Sequence, residues 1–218
     1  RLLDPPPAAV RLDLVDALAV TTVRLDGQTV PSTHAGDSLL VPLPSPVAGD
    51  TVAVTVAYAG RPPRHGPLYA GFLMREHGDG QPTVGNVSQP YSSHSWFPCK
   101  DHPSDKATLT LAITAPDTLT VVATGRLDST STPGPGRRTW HWRSDHPVAP
   151  YLVGVAASDF ASWHEDCDGI DLAFHAWPEH LAAVREAYAP TCAMLQWLSD
   201  LAGPYPFADE KYAQAQFS

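Results

Sequence analysis

The sequence is poor in what a nucleic-acid or membrane protein needs. Lys and Arg number 14 against 23 Asp and Glu, a formal charge of -9, and a phosphate-binding surface requires clustered cations that are missing here. That excludes nucleic acid as a partner and weakly favours neutral or cationic ones. No apolar run is long enough for a membrane span. Hydrophobic residues at 43% and charged residues at 17% describe a soluble globular chain with a sizeable core, and cytoplasmic residence is the expectation. Cysteine is scarce: Cys99, Cys167 and Cys192 are odd in number and widely spaced. Neither a disulfide framework nor a C-x-x-C zinc knuckle is expected, and all three read as reduced thiols. There is no internal repeat and no basic-then-apolar leader. The chain opens on Arg1 and stops in the strand-like "EKYAQAQFS", so both ends read as cuts. Its 218 residues suit one full domain plus a piece of another.

What is present is mostly strand signal. "LDLVDALAVTTVRLDG", "SLLVPLP", "TVAVTVAYAG", "ATLTLAITAP", "TLTVVATGRL", "RRTWHWRS" and "PYLVGVAASDF" are short, β-branched and bounded by turn residues. Asp26-Gly27 suits a tight hairpin turn. In "ATLTLAITAP", Leu109, Leu111 and Ile113 share one face and Thr108, Thr110 and Ala112 the other, as in a half-buried strand. The polar "STSTPGPGRR" reads as a surface hairpin connection, and "RPPRHGPLYAGFLM" is also rich in Pro and Gly. An all-β sandwich or saddle-shaped pair of sheets follows. After about Ile170 the pattern changes. "IDLAFHAW" allows one more strand, and Leu181, Val184, Tyr188, Leu195, Leu198 and Leu201 then recur at helical spacing. Pro178 suits the helix start, Gly203-Pro204 the stop, and Pro190 predicts a kink or break. An amphipathic helix with nothing after it to cover its apolar face implies a missing partner.

Ten His residues invite a metal reading, and their spacing argues against it. His141 and His146 fall on opposite faces of one strand, His164 and His175 have no helix to align them, and no H-E-x-x-H pair occurs. A nucleophile drawn from Ser92, Ser93 or Cys99 with His94 or His102 lacks the strand–Ser–helix elbow. Cys99, between Pro98 and apolar rings, reads as a packing thiol, and Asp101 and Asp105 as turn and capping carboxylates. Gln89, before Pro90, remains as an amide whose carbonyl accepts a hydrogen bond from an ammonium group.

"SQPYSSHSWFPCKDHPSDKATLTLAITAPDTLTVVATG" resembles the end of the N-terminal saddle domain of the aminopeptidase N family of zinc metallopeptidases, which includes the bifunctional leukotriene epoxide hydrolase. Gln89, Pro98, Cys99, Asp101, Pro103, Lys106 and Ala107 match the pattern of an acidic or amide residue followed by "FPC.D.P" and "KA". "PYLVGVAASDF" and "LAGPYPFADEKYAQ" are similar to two further family segments, in the same order. The resemblance implies a mainly β fold: residues 1–170 as a saddle-like antiparallel β-sandwich domain, and residues 171–218 as the first strand and amphipathic helix of a thermolysin-like α+β catalytic metallopeptidase domain, incomplete here. It implies removal of N-terminal residues from peptides with a free N-terminus. One zinc ion would be held by a downstream H-E-x-x-H helix absent from this chain, so the chain supplies no catalytic and no metal residue and is expected to be inactive alone. Gln89 falls at the position that grips the substrate's amino group, where many members carry Glu. His94 departs from the Arg often found at its position. The partners implied are peptide substrates and the remainder of the catalytic domain.

Two rival readings stand beside this one. A non-catalytic scaffold of the same fold would lack H-E-x-x-H downstream. A free-standing β-sandwich binding module would use Trp96, Trp140, Trp142 and Trp163 as stacking residues, although core packing is the commoner use of Trp.

Overall fold

A computed structural model describes residues 5–65 and 70–217. The Pro- and Gly-rich segment from Arg61 onward therefore lies partly outside the described residues, at 66–69. The chain is mainly β, as the alternation implies, and divides into two compact units. One comprises Arg1–Leu73, Val87–Lys106 and Ala149–Leu152; the other comprises Met74–Asn86, Ala107–Val148 and Val153–Ser218.

The first unit contains β1 (Ala9–Asp13), β2 (Leu18–Leu25), β3 (Gln28–Thr29), β4 (Thr33–His34), β5 (Ser38–Pro42) and β6 (Val54–Gly60), and β7 (Arg64–His65) pairs with the start of β8 (Ala70–His77). Two antiparallel sheets, ordered β1-β5-β4 and β3-β2-β6, share one core, which is sandwich packing. Leu39 and Val41 are fully buried with Val23, and Val10, Leu12, Val54 and Val56 pack around them. The β2–β3 turn falls on Asp26-Gly27, both in the left-handed region at φ 48° and 83°. That conformation matches the twist of the flanking strands and favours Asn/Asp-Gly.

The second unit contains the end of β8, then β9 (Gln81–Val87), β10 (Ala107–Pro116), β11 (Thr120–Ala123), β12 (Arg126–Gly134), β13 (Arg137–Val148), β14 (Val155–Ser158), β15 (Ala161–Cys167) and β16 (Ile170–Ala176). Helices α1 (Leu181–Tyr188) and α2 (Thr191–Ala202) follow, then β17 (Tyr212–Ala215). One sheet runs β10-β13-β12 and another carries β11-β14-β9-β8. "STSTPGPGRR" is the β12–β13 hairpin, as expected. On β10 the half-buried residues are Leu109, Leu111, Ile113 and Ala115, with Thr108, Thr110 and Ala112 exposed. Trp140 and Trp142 lie in the core, 4% and 5% exposed, which is packing rather than a stacking surface.

The third sheet of this unit pairs β15 with β16 antiparallel and β16 with β17 parallel. The helical segment breaks where Pro190 removes a backbone donor: α1 ends at Tyr188 and α2 starts at Thr191. Leu195 of α2 packs on Cys167, Leu172 and Phe174, with Trp163, Tyr188 and Tyr212 around them. The other flank of α2 shows Met194, Trp197, Leu198 and Leu201 at the surface.

Two sequence expectations are corrected in this region. Cys167 and Cys192 are not reduced thiols; they form a disulfide with Cα atoms 5.5 Å apart. The last residue of β15 and the first turn of α2 meet over the Leu172–Phe174 core, a proximity that a sequence separation of 25 conceals. His164 and His175 do approach each other, with ring centroids 6.5 Å apart, because the β15–β16 register sets His175 opposite Ser162 and His164 opposite Ala173. A hairpin aligns them where no helix was available.

Candidate substrate-anchoring site

Gln89 lies in the first unit, on a turn that follows β9. Ser88 is buried at 2% exposure, and the Ser92 N–H donates to the Ser88 carbonyl at 3.0 Å, closing a loop whose tip, Gln89-Pro90-Tyr91, is exposed. The Gln89–Pro90 peptide is cis. An exposed amide on a turn with buried ends is a side chain presented outward from a fixed base.

That base is built by the residues after the turn. A 3₁₀ turn over Ser93–Ser95 leads to Trp96, whose indole N–H donates to Ser88 Oγ at 3.2 Å and whose carbonyl accepts from Tyr58 OH at 3.0 Å. The Trp96 ring packs near Phe72 and Phe97, with centroids 5.7 and 4.6 Å away. Cys99 forms a β-bridge with Asp13: the Asp13 N–H donates to the Cys99 carbonyl at 2.6 Å and the Cys99 N–H to the Asp13 carbonyl at 3.1 Å. The Cys99 thiol is free and buried. Burial first, then the neighbouring carboxylates Asp101, Asp13 and Asp105, push its pKa up, so it stays protonated and is no nucleophile. Ser92 and Ser93 are also buried, at 9% and 0% exposure.

Asp101 does more than cap a turn. Its Oδ2 sits 2.6 Å from His94 Nδ1 and also accepts the His94 backbone N–H at 3.2 Å. The Asp101 N–H donates to Asp13 Oδ2 at 3.0 Å. The Asp101 side chain is 5% exposed, and its buried Oδ1 has no hydrogen-bond partner among the described residues. The His94 carbonyl accepts from the Val15 N–H at 3.0 Å. The His94 pKa is raised, chiefly by the hydrogen bond to Asp101, with Asp13 and Asp37 adding to it against the cost of burial. The imidazolium form is therefore favoured where the resemblance leads one to expect Arg. Only the exact pairing of His94 with Asp101 was hidden in the sequence; the two residues and their nearness in the chain were visible.

Among the described residues, no group of three or more His, Cys, Asp or Glu side chains is arranged to hold a metal ion. These residues do not form a zinc site, and no zinc-dependent step is assigned to them. No described helix is long and apolar enough to cross a membrane.

The turn and its frame lie within a Peptidase M1 N-terminal domain. Residues 11–152 match the Peptidase M1 N-terminal domain, and the chain belongs to that family. It is 41% identical over 84 residues to leucine aminopeptidase 2 of Candida glabrata, covering 38% of this chain and 12% of that protein. It is 28% identical over 192 residues to mouse aminopeptidase B, covering 76% and 28%. Among solved structures it is similar to an M1 zinc metallopeptidase from Deinococcus radiodurans, with a TM-score of 0.80, 26% identity and coverage of 96% of this chain and 48% of that one. A Glu-to-Ala mutant of that enzyme bound to a Tyr-Ser-Ala substrate superposes with a TM-score of 0.77 at 25% identity, covering 95% and 48%. The chain thus spans about half the length of these structures and less of the curated relatives.

Proposed function

We propose that the chain is the N-terminal part of a zinc-dependent aminopeptidase that removes N-terminal residues from peptides, and that Gln89 anchors the substrate's amino group. The observation that carries this reading is the exposed amide of Gln89 at the tip of a turn whose ends are buried, within a chain of the M1 peptidase family. A neutral amide carbonyl gives an ammonium donor a directional acceptor without a full charge. Fixing the amino terminus selects the first peptide bond for cleavage by restricting the substrate's approach. The Tyr-Ser-Ala complex of the Deinococcus enzyme supports peptides with a free N-terminus as the substrate class.

In this reading residues 1–170 form the saddle domain and residues 171–218 begin the catalytic domain. Zinc and its ligands come from downstream sequence, and when bound the metal supplies the Lewis acid for peptide hydrolysis. The exposed flank of α2, with Met194, Trp197, Leu198 and Leu201, is the face that the remainder of the catalytic domain covers.

The test is Gln89→Ala in the polypeptide that includes the downstream half. A hydrogen bond to a charged partner is worth about 1.5–3 kcal/mol, so the KM for aminoacyl substrates should rise by roughly tenfold or more while zinc content is retained. An unchanged KM removes Gln89 from the site. The 218-residue chain alone should show no peptidase activity, and zinc-dependent turnover by it would overturn the reading.

A further inference from the structure

We propose that the His94–Asp101 pair is a latch that positions the Gln89 turn, and that it makes capture of the substrate's amino terminus weaken as pH rises. The proposal rests on the anchoring role of Gln89 given above. Two of the ties on the segment from Ser88 to Asp101 bear on the Gln89 turn. Near Gln89, the Ser92 N–H and the Trp96 indole N–H both bond Ser88. At its far end, Asp101 takes both the ring and the backbone N–H of His94, and its own N–H is fixed to Asp13. His94 sits in the middle, two residues after Ser92 and two before Trp96, so its ring joins the turn carrying Gln89 to the Asp13–Cys99 bridge. Releasing the His94 ring leaves the 3₁₀ turn to its backbone bonds, the Val15 N–H to the His94 carbonyl among them, and so loosens the turn whose flanking residues Ser92 and Trp96 make both bonds to Ser88.

Among the described residues, the charged groups that raise the His94 pKa are acidic: Asp101 in contact, then Asp13 at the end of β1 and Asp37 in the loop before β5. Asp37 is itself tied down, its N–H donating to Asp16 Oδ1 at 3.1 Å and its Oδ1 accepting the Asp16 N–H at 2.7 Å. This acidic surround favours the imidazolium. A His whose pKa is raised on folding contributes its stabilisation in full below the ordinary His pKa and loses it as pH rises through the raised value. The latch is therefore closed below the ordinary His pKa and loosens as pH rises through the raised value. Loss of the proton removes the ion pair and leaves a neutral imidazole bonded to the Asp101 carboxylate, a weaker tie than imidazolium on carboxylate.

Three variants of the whole protein test this, with Gln89→Ala measured beside them. Asp101→Asn should raise KM at pH 6 by about fivefold, the effect of weakening one charge-assisted hydrogen bond. It should also lower the midpoint of the His94 ring titration followed by NMR, a shift that general loosening would not give. His94→Arg keeps a cation beside Asp101 at every pH, so it should retain the native KM at pH 6. It should also flatten the part of the KM rise between pH 6 and 9 that substrate amine deprotonation does not explain. His94→Gln, which carries no proton to lose, should show the raised KM at pH 6 with the same flattened profile. A native-like pH profile in His94→Arg, or a native KM in both Asp101→Asn and His94→Gln, overturns the latch. If Gln89→Ala raises KM and those two do not, the latch alone fails; if Gln89→Ala changes nothing, the anchoring role fails with it.

Discussion

His77 stacks on Trp177 with ring centroids 4.4 Å apart and planes 3° from parallel. Both rings are buried, at 7% and 8% exposure. His77 Nδ1 lies 2.8 Å from Glu179 Oε1, and its Nε2 lies 2.9 Å from Ser158 Oγ and 3.0 Å from Asp159 Oδ1. One imidazole thus fastens the entry to α1 onto β14 within the second unit.

Trp177→Ala removes the stacked face and leaves a cavity. Truncating a buried Trp costs about 3–5 kcal/mol, so the melting temperature should fall by about 10 °C in a chain of this size. Calorimetry checks it, and a shift under about 3 °C would show that the stack is not a main support. His77→Phe should instead act on the acid side. The Glu179 carboxyl is held below its ordinary range, first by the hydrogen bond from His77. That contribution is present above the ordinary carboxylate pKa and is lost as pH falls through the lowered value. The variant should lose this part of the acid-unfolding profile.

His175 gives a second pH effect with its own window. Burial first, then the neighbouring His164 and Lys211 side chains, lower its pKa to about 4. The unfolded chain takes up this proton near pH 6.5 and the folded chain only near 4, so stability falls with pH across that interval. The full loss is about 3 kcal/mol. Urea unfolding at pH 7 and pH 4 measures it, and His175→Gln should reduce the difference; equal losses in both proteins would sink the assignment.

The Cys167–Cys192 bond closes a separation of 25 residues, for which loop-closure entropy gives about 3 kcal/mol. Cys192→Ser should therefore lower the melting temperature, and a reductant should do the same to the native chain but not to the variant. Alkylation of the native protein with mass spectrometry should find one free thiol, Cys99, and only after unfolding. Cytoplasmic residence, the expectation from the sequence, would keep Cys167 and Cys192 reduced, whereas an oxidising compartment preserves the bond. Three alkylated cysteines in freshly isolated protein would show that the bond is not formed in the cell.

Local chemistry was the legible part of this molecule. The alternation of Leu109, Leu111 and Ile113, the turn at Asp26-Gly27 and the break at Pro190 each depend on residues within one or two turns of chain. The family and mainly β fold were legible too, through ordered motifs. The contacts that sequence spacing hid are tertiary. Cys167 meets Cys192 because a hairpin end and a helix start share the Leu172–Phe174 core. His164 nears His175 because of strand register. Asp101 looks like an ordinary turn carboxylate until its burial and its bonds to His94 and the Asp13 loop are seen. The tip carrying Gln89 was identified by resemblance; its rigid frame was not visible in the residue pattern.

Trp197 is 64% exposed and Leu201 is 71% exposed on α2. Such a cluster on a freely dissolved chain adheres to other hydrophobic surfaces, its own copies included. Expressed by itself, the chain should therefore self-associate as concentration rises. Charged substitutions on that flank would make it easier to keep in solution and, under the function proposed above, poorer at joining a catalytic remainder.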